Sequence, residues 1–154
     1  MWWQILLVIV AAVVVYFVGH HLWLRQRQIS YQKYLDQQVE LIMPALVRVI
    51  PHLLPDSLKS AIPVSIWHRD VLIYEYSVQL SDNTPIVATA AQLSVILNEA
   101  PGLKARLVVT ECWQRDTCFH FDVAYLNNPE TVEYVGDMEK IAEVDEKQSE
   151  IHNS

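Results

Sequence analysis

Two cysteines and a histidine in the last third of the chain are the residues whose types and spacing could support chemistry. Cys112, Cys118 and His120 lie in RLVVTECWQRDTCFHFDVAYL, whose β-branched and aromatic residues predict a hairpin with its turn centred on Arg115. In that register Cys112 faces Cys118 across the strands, at a distance that a disulfide can span. The two cysteines and His120 would then share one face of the hairpin, opposite the apolar side chains.

Three states remain open for this face. A disulfide between Cys112 and Cys118 is expected if the domain lies outside the cytosol, and two reduced thiols are expected if it lies inside. A zinc ion would need four ligands, and the spacing of Cys112, Cys118 and His120 matches no common zinc pattern. We therefore assign no metal site and no cofactor, although these three residues are the candidates for a metal or ligand site.

The motifs of common enzyme classes are absent from the sequence. It has no Gly-rich phosphate loop, no Gly-x-Ser-x-Gly elbow and no His-Glu-x-x-His, and only 3 Gly in all. The triplet His68-Arg69-Asp70 could act as an acid/base cluster, but its composition is typical of a hairpin loop. The sequence favours a protein without catalytic activity, and Trp67 and Trp113, each beside a predicted turn, are the candidate interface residues.

Two predicted hairpins separated by a helix position these residues. The first hairpin covers Val64 to Leu80, turns at 68–70 and places alternating apolar residues on one face. A helix is predicted to start at Thr84-Pro85 and to end before Pro101-Gly102, and the second hairpin follows it. Asn128-Pro129 is typical of the start of a last helix.

The segment before the first hairpin predicts an amphipathic helix. Its apolar residues are spaced alternately by four and three, and Pro44 should kink this helix or split it in two. The predicted buried stripe consists of Leu35, Val39, Ile42, Leu46 and Val49.

The first two dozen residues predict a membrane span. Residues 2–24 read WWQILLVIVAAVVVYFVGHHLWL and contain no Asp, Glu, Lys or Arg. Because a helix rises about 1.5 Å per residue, Trp3 and Trp23 would lie roughly 30 Å apart, the thickness of a bilayer's hydrocarbon core. No basic residue starts the segment and no small-x-small cleavage site ends it, which favours an uncleaved anchor over a cleaved signal peptide.

The distribution of charged residues indicates the orientation of the domain in the membrane and the class of partner that is excluded. Arg25, Arg27 and Lys33 follow the apolar segment, so the positive-inside rule places the domain in the cytoplasm, with the periplasm or exterior as the alternative. The formal net charge of −7 argues against nucleic-acid binding. Most of this charge follows residue 127, and residues 145–154 are expected to form an acidic, disordered tail.

The sequence thus predicts an α+β protein with four parts. These are a transmembrane anchor (1–24), an amphipathic helix with a Pro-rich connector (25–62), an α+β domain (63–144) and the tail (145–154). The domain would have four antiparallel strands with helices on one face, and a helix-strand-strand order repeated twice corresponds to a permuted ferredoxin-like layout. A plain meander with helices packed on it is the alternative.

In function, we expect a non-catalytic module on the inner or plasma membrane that binds another membrane or membrane-associated protein. It would be a subunit or accessory factor of a bacterial membrane assembly, or an immunity-type inhibitor. The alternative is a membrane-tethered sensor or enzyme domain with its site on the Cys112, Cys118 and His120 face.

In architecture alone, this plan is similar to the bitopic assembly proteins of type II secretion and type IV pilus inner-membrane platforms. Those proteins combine a short N-terminus, one span, a helix and a permuted ferredoxin-like domain. The likeness implies a domain on the far side of the membrane, opposite to the charge rule. A second likeness, to the pilin plan, lacks the leader peptide ending in Gly and the Glu at the fifth mature position, and no residue role is transferred from either.

Overall fold

The computed structural model describes residues 1–66 and 69–152, with side chains described as far as 143. Within these ranges the four strands form one antiparallel sheet in the order β1-β2-β4-β3, so the predicted α+β fold with four antiparallel strands is confirmed. The elements in chain order are α1 (Trp2–Val49), β1 (Lys59–Ala61), β2 (Ile73–Gln79), α2 (Ala90–Leu97), β3 (Leu107–Arg115), β4 (Cys118–Tyr125) and α3 (Pro129–His152).

Helix α1 joins an exposed apolar half to a half that packs on the sheet. Residues 1–20 are exposed, and α1 is long and apolar enough to cross a membrane, with a mean hydropathy of 2.4 over 18 residues. From Leu24 onward α1 has a buried face, which includes every residue of the predicted stripe except Val49. The helix continues through Pro44, so the predicted split is wrong. Packing on both sides of this exposed proline holds the helix together despite the lost hydrogen bond.

The main core lies between the sheet and the two helices α1 and α2. The apolar residues of β2 alternate onto this face as predicted, and Tyr74 and Tyr76 are fully buried there. Leu93 and Leu97 of α2 pack against the same cluster, and Phe121 stacks on Tyr76 from the neighbouring strand.

The prediction that all helices lie on one face of the sheet is wrong, because α3 packs on the opposite face. Ile73 and Ala124 point away from the main core, since side chains alternate along a strand, and Val135 of α3 packs on them. Thr131 adds a hydrogen bond to this contact, because its Oγ1 accepts from the Leu72 amide at 2.9 Å. The helix then continues to His152, through most of the segment expected to be a disordered tail, and residues 153–154 lie outside the described residues.

Buried polar side chains fix α1 to the strands and loops. Gln28 is 2% exposed, and its Nε2 donates to the carbonyl of Arg69 at 3.0 Å. The Tyr74 hydroxyl donates to the Gln28 carbonyl at 2.9 Å, and the Tyr76 hydroxyl donates to Oδ1 of Asp36 at 3.0 Å. Because unpaired buried polar groups are costly, these bonds favour this placement of the helix over any that would leave the same groups unpaired.

The first predicted hairpin has its first strand in the wrong place. Strand β1, at Lys59–Ala61, lies inside the segment predicted as a connector and pairs with β2, whereas Val64–Ile66 forms a short 3-10 turn. Two contacts explain the difference. Ser60 donates to Asp36 of α1 at 3.0 Å. Gln28 binds one carbonyl in the 3-10 turn, that of Ile66, and two after it, which holds Val64–Ile66 out of the sheet.

Helix α2 starts later than predicted. Thr89, not Thr84, is its N-cap, in a capping box where the Thr89 hydroxyl accepts from the Gln92 amide and the Gln92 side chain accepts from the Thr89 amide. The preceding residues lie along β3, because the Gln114 side chain accepts from the Ile86 amide at 3.0 Å. This tertiary contact keeps the Thr84-Pro85 segment out of the helix.

Truncation of a buried residue of α1 should show that this helix belongs to the domain core. We expect Leu35→Ala, at a fully buried position, to lower the free energy of unfolding of the full chain in detergent by about 2–5 kcal/mol. Leu41→Ala removes the same atoms from a position 61% exposed on the same helix and should cost well under about 1 kcal/mol. Equal losses in chemical denaturation would contradict this packing.

Candidate functional site

A β-bulge in β3 decides which side chains of the second hairpin share a face. Val109 pairs with Val123, and the next paired residue, Glu111, faces Asp122, so Thr110 is the extra residue. Because side chains alternate along a strand, one extra residue moves every later side chain to the other face. Glu111 therefore lies opposite the main core, whereas strict alternation would bury it there.

The bulge also separates the two cysteines, so the register that brought them together is wrong. Cys112 pairs with Phe121 and faces the main core. Cys118 pairs with Arg115 and lies on the opposite face. The turn also follows Arg115 instead of being centred on it, so Cys112 and Cys118 are not cross-strand partners. Both cysteines are free thiols. Cys118 and His120 share a face, but Cys112 is not on it, so the predicted Cys112, Cys118 and His120 face does not form.

Side chains from three strands meet on the sheet face opposite the main core, beside α3. We call them the open-face cluster, and its members are Glu75, Glu111, Trp113, His120 and Asp122. Glu75, Asp122 and Glu111 lie side by side in one row across β2, β4 and β3. In the next row His120 stacks on Trp113, with ring centroids 5.1 Å apart and planes inclined by 4°. The Nδ1 atom of His120 lies 3.1 Å from Oε1 of Glu75. Trp113 is 39% exposed and forms the aromatic edge of the cluster.

Asp122 is the carboxylate in this cluster whose pKa is raised. Burial, followed by the negative charges of Glu75 and Glu111, raises the pKa of Asp122 to about 6, and His120 opposes this shift. Its Oδ1 atom is buried and accepts no hydrogen bond in the structure. At neutral pH the sheet therefore holds a poorly compensated negative charge.

A cavity lies between the open-face cluster and α3. It has a volume of about 230 Å³ and is lined by Glu111, Asp122, Tyr134 and Met138 among others. Among the residues that the structure describes, no group of three His, Cys, Asp or Glu is placed to hold a metal ion. Negative charge beside an exposed indole is complementary to a cationic side chain of a partner.

The other candidates from the sequence have different surroundings. Asp70 forms an ion pair with Arg27 of α1 and so helps to join the helix to the loop. Trp67 and His68 lie outside the described residues. Alternation along β2 and along β4 is sufficient to place Glu75 and Asp122 each on the polar side of its strand. Their juxtaposition depends on the pairing of β2 with β4, which no local pattern indicates.

No known protein family, curated protein or solved structure matches this chain.

Removal of the Asp122 charge should stabilise the fold in a pH-dependent way. The pKa of Asp122 in the folded state, about 6, exceeds the ordinary value of 3.8, so the folded state gains stability as the pH falls from 7 towards 4. We therefore expect Asp122→Asn to stabilise the full chain by about 1 kcal/mol at pH 7.5, after allowance for solvent screening, and by almost nothing at pH 4.

Thermal unfolding in detergent at both pH values measures this difference. Glu111→Gln removes a charge from the same row at an exposed position and should have a smaller effect. A gain from Asp122→Asn that is equal at the two pH values would contradict the proposed origin in the carboxylate charge.

Proposed function

We propose that this chain is a single-pass, membrane-anchored and non-catalytic module that binds another membrane or membrane-associated protein. The exposed apolar half of α1 is the observation that supports the proposal most. A helix of this length with apolar side chains on all sides would be unfavourable in water, and no part of the described domain covers it. A bilayer would cover it along the whole distance from Trp3 to Trp23.

The continuity of α1 would hold the domain close to the membrane surface. Gln28, the first buried polar anchor of the helix in the domain, follows Trp23 by five residues, or about 7.5 Å of helix rise. A helix allows far less freedom than a flexible linker. The domain would therefore present the same surfaces at a fixed height, which raises its effective concentration for partners in the same membrane.

The fold class and the orientation are part of the same proposal. The two central strands, β2 and β4, come from different helix-strand-strand units, and this interleaving supports a permuted ferredoxin-like domain. Arg25 and Lys33 are exposed just after the span, which favours a cytoplasmic domain on an inner or plasma membrane. A subunit of a bacterial membrane assembly and an immunity-type inhibitor both fit this arrangement.

The open-face cluster is the surface we assign to partner binding. Trp113 offers a large, exposed aromatic contact, and Glu75, Glu111 and Asp122 supply negative charge beside it. An indole next to acidic groups is complementary to an Arg- or Lys-bearing surface of a partner, whose cations would also relieve the repulsion within the row.

Charges placed in the apolar half of α1 should abolish membrane retention. We expect the full chain to stay in the membrane pellet after an alkaline carbonate wash and to be released by detergent. Val10→Lys combined with Val14→Lys should move it into the supernatant, because each lysine costs about 3 kcal/mol at the centre of a bilayer. Val10→Leu combined with Val14→Leu is the matched control and should stay in the pellet. Release of the unmodified chain by carbonate would refute the anchor.

Site-specific photo-crosslinking tests the binding surface. A photoreactive phenylalanine analogue at position 113 should give a discrete protein adduct in intact cells, and Asp122→Asn with Glu111→Gln should weaken this adduct severalfold. The same analogue at position 95, which is 66% exposed on α2 across the sheet, is the control and should give none. Adducts at 95 but not at 113 would overturn the assignment of this face.

A further inference from the structure

We propose that a cavity at the junction between the apolar half of α1 and the domain binds the headgroup of one anionic phospholipid, an inference that rests on the anchoring proposed above. The cavity has a volume of about 260 Å³ and is lined by His21, Arg25, Gln28, Ile29, Gln32 and Ile62. None of these residues belongs to the open-face cluster.

The lining residues of α1 form one continuous stripe along the helix. His21, Arg25 and Gln32 are four and seven residues apart, and side chains at such spacings lie on the same face of a helix. Ile62, just after β1, forms the facing wall. The stripe begins with His21 and Arg25 at the end next to the apolar half of α1, and it ends with the amide side chains of Gln28 and Gln32 at the domain. Its cationic end is therefore the end nearest to the proposed span.

Arg25 differs from the neighbouring arginine in having no counter-ion among the described residues. Arg27 forms an ion pair with Asp70, and its guanidinium lies 5.5 Å from the ring centre of Trp23 and 5.8 Å from that of Tyr31. Arg25 is exposed and forms no ion pair with any residue in the described ranges. A guanidinium presents a fork of donors that matches a phosphate group, so Arg25 is the group we assign to the lipid phosphate.

The position of the cavity selects a lipid over a soluble anion. His21 precedes Trp23 by two residues and Arg25 follows it by two, so both lie within about 3 Å of the level of the interfacial indole. Headgroups occupy this level in a bilayer. The volume is below the roughly 300–1,000 Å³ of pockets that enclose a whole small molecule. A headgroup whose acyl chains stay in the bilayer fits it, with the phosphate at Arg25 and the polar groups beyond the phosphate towards Gln28 and Gln32.

Lipid retention by the full chain in nanodiscs tests this proposal. The discs contain phosphatidylcholine and phosphatidylglycerol in equal amounts, and native mass spectrometry counts the lipids that remain on the protein after its release. We expect one phosphatidylglycerol per chain, retained in preference to phosphatidylcholine. Arg25→Gln should reduce this retention about tenfold, which corresponds to the loss of one charged hydrogen bond. Arg25→Lys, which keeps the charge, should retain an intermediate amount.

Lys33→Gln is the matched control, because it removes the same charge from an exposed position farther along α1 and should leave retention unchanged. Equal retention of the two lipids by the unmodified chain would overturn the headgroup site while leaving the anchor intact. Equal losses in Arg25→Gln and Lys33→Gln would also overturn it, because they would indicate diffuse attraction to an anionic surface. Failure of the unmodified chain to enter nanodiscs would overturn the anchor itself, and the headgroup site with it.

Discussion

The packing of the second half of α1 on the sheet is the interaction on which the rest of the structure depends. Leu35, Val39 and Leu46 are almost completely buried there, and Gln28 and Asp36 pair the buried polar groups around them. Without this helix, one face of a four-stranded sheet would be largely exposed, since α2 is only two turns long. The same helix carries the apolar half, so the orientation of the domain and the proposed anchor are set by a single element.

The open-face cluster is costly for the free protein. Like charges directly opposite one another on neighbouring strands are destabilising, and Asp122 faces a carboxylate on each side. The Nδ1 atom of His120 lies 3.1 Å from one of these carboxylates, that of Glu75. The proposed binding role would account for such an arrangement, because a cationic partner would turn the repulsion into attraction. The fold tolerates the cost because the opposite face of the sheet is well packed.

Local patterns predicted an element correctly where residues close in the sequence supplied the partners of its polar groups. The alternation in β2 and the start of α3, where Asn128 accepts from the Thr131 amide, followed from short-range rules. Predictions failed where a distant residue competed with the local rule. The extended segment before Thr89 follows β3 instead of forming helix, and β1 lies inside a proline-rich segment because Asp36 of α1 binds Ser60.

The sequence alone determined the apolar character of residues 2–24, the amphipathic stripe after it and the class of the fold, because these depend on side-chain type and on helical or strand periodicity. The tertiary structure alone decided the composition of the candidate site. One extra residue at Thr110 exchanged the faces of Glu111 and Cys112, and the pairing of β2 with β4 brought Glu75 to Asp122. A bulge and a strand order arise from contacts between residues far apart in the chain, and these have no periodicity that a sequence can display.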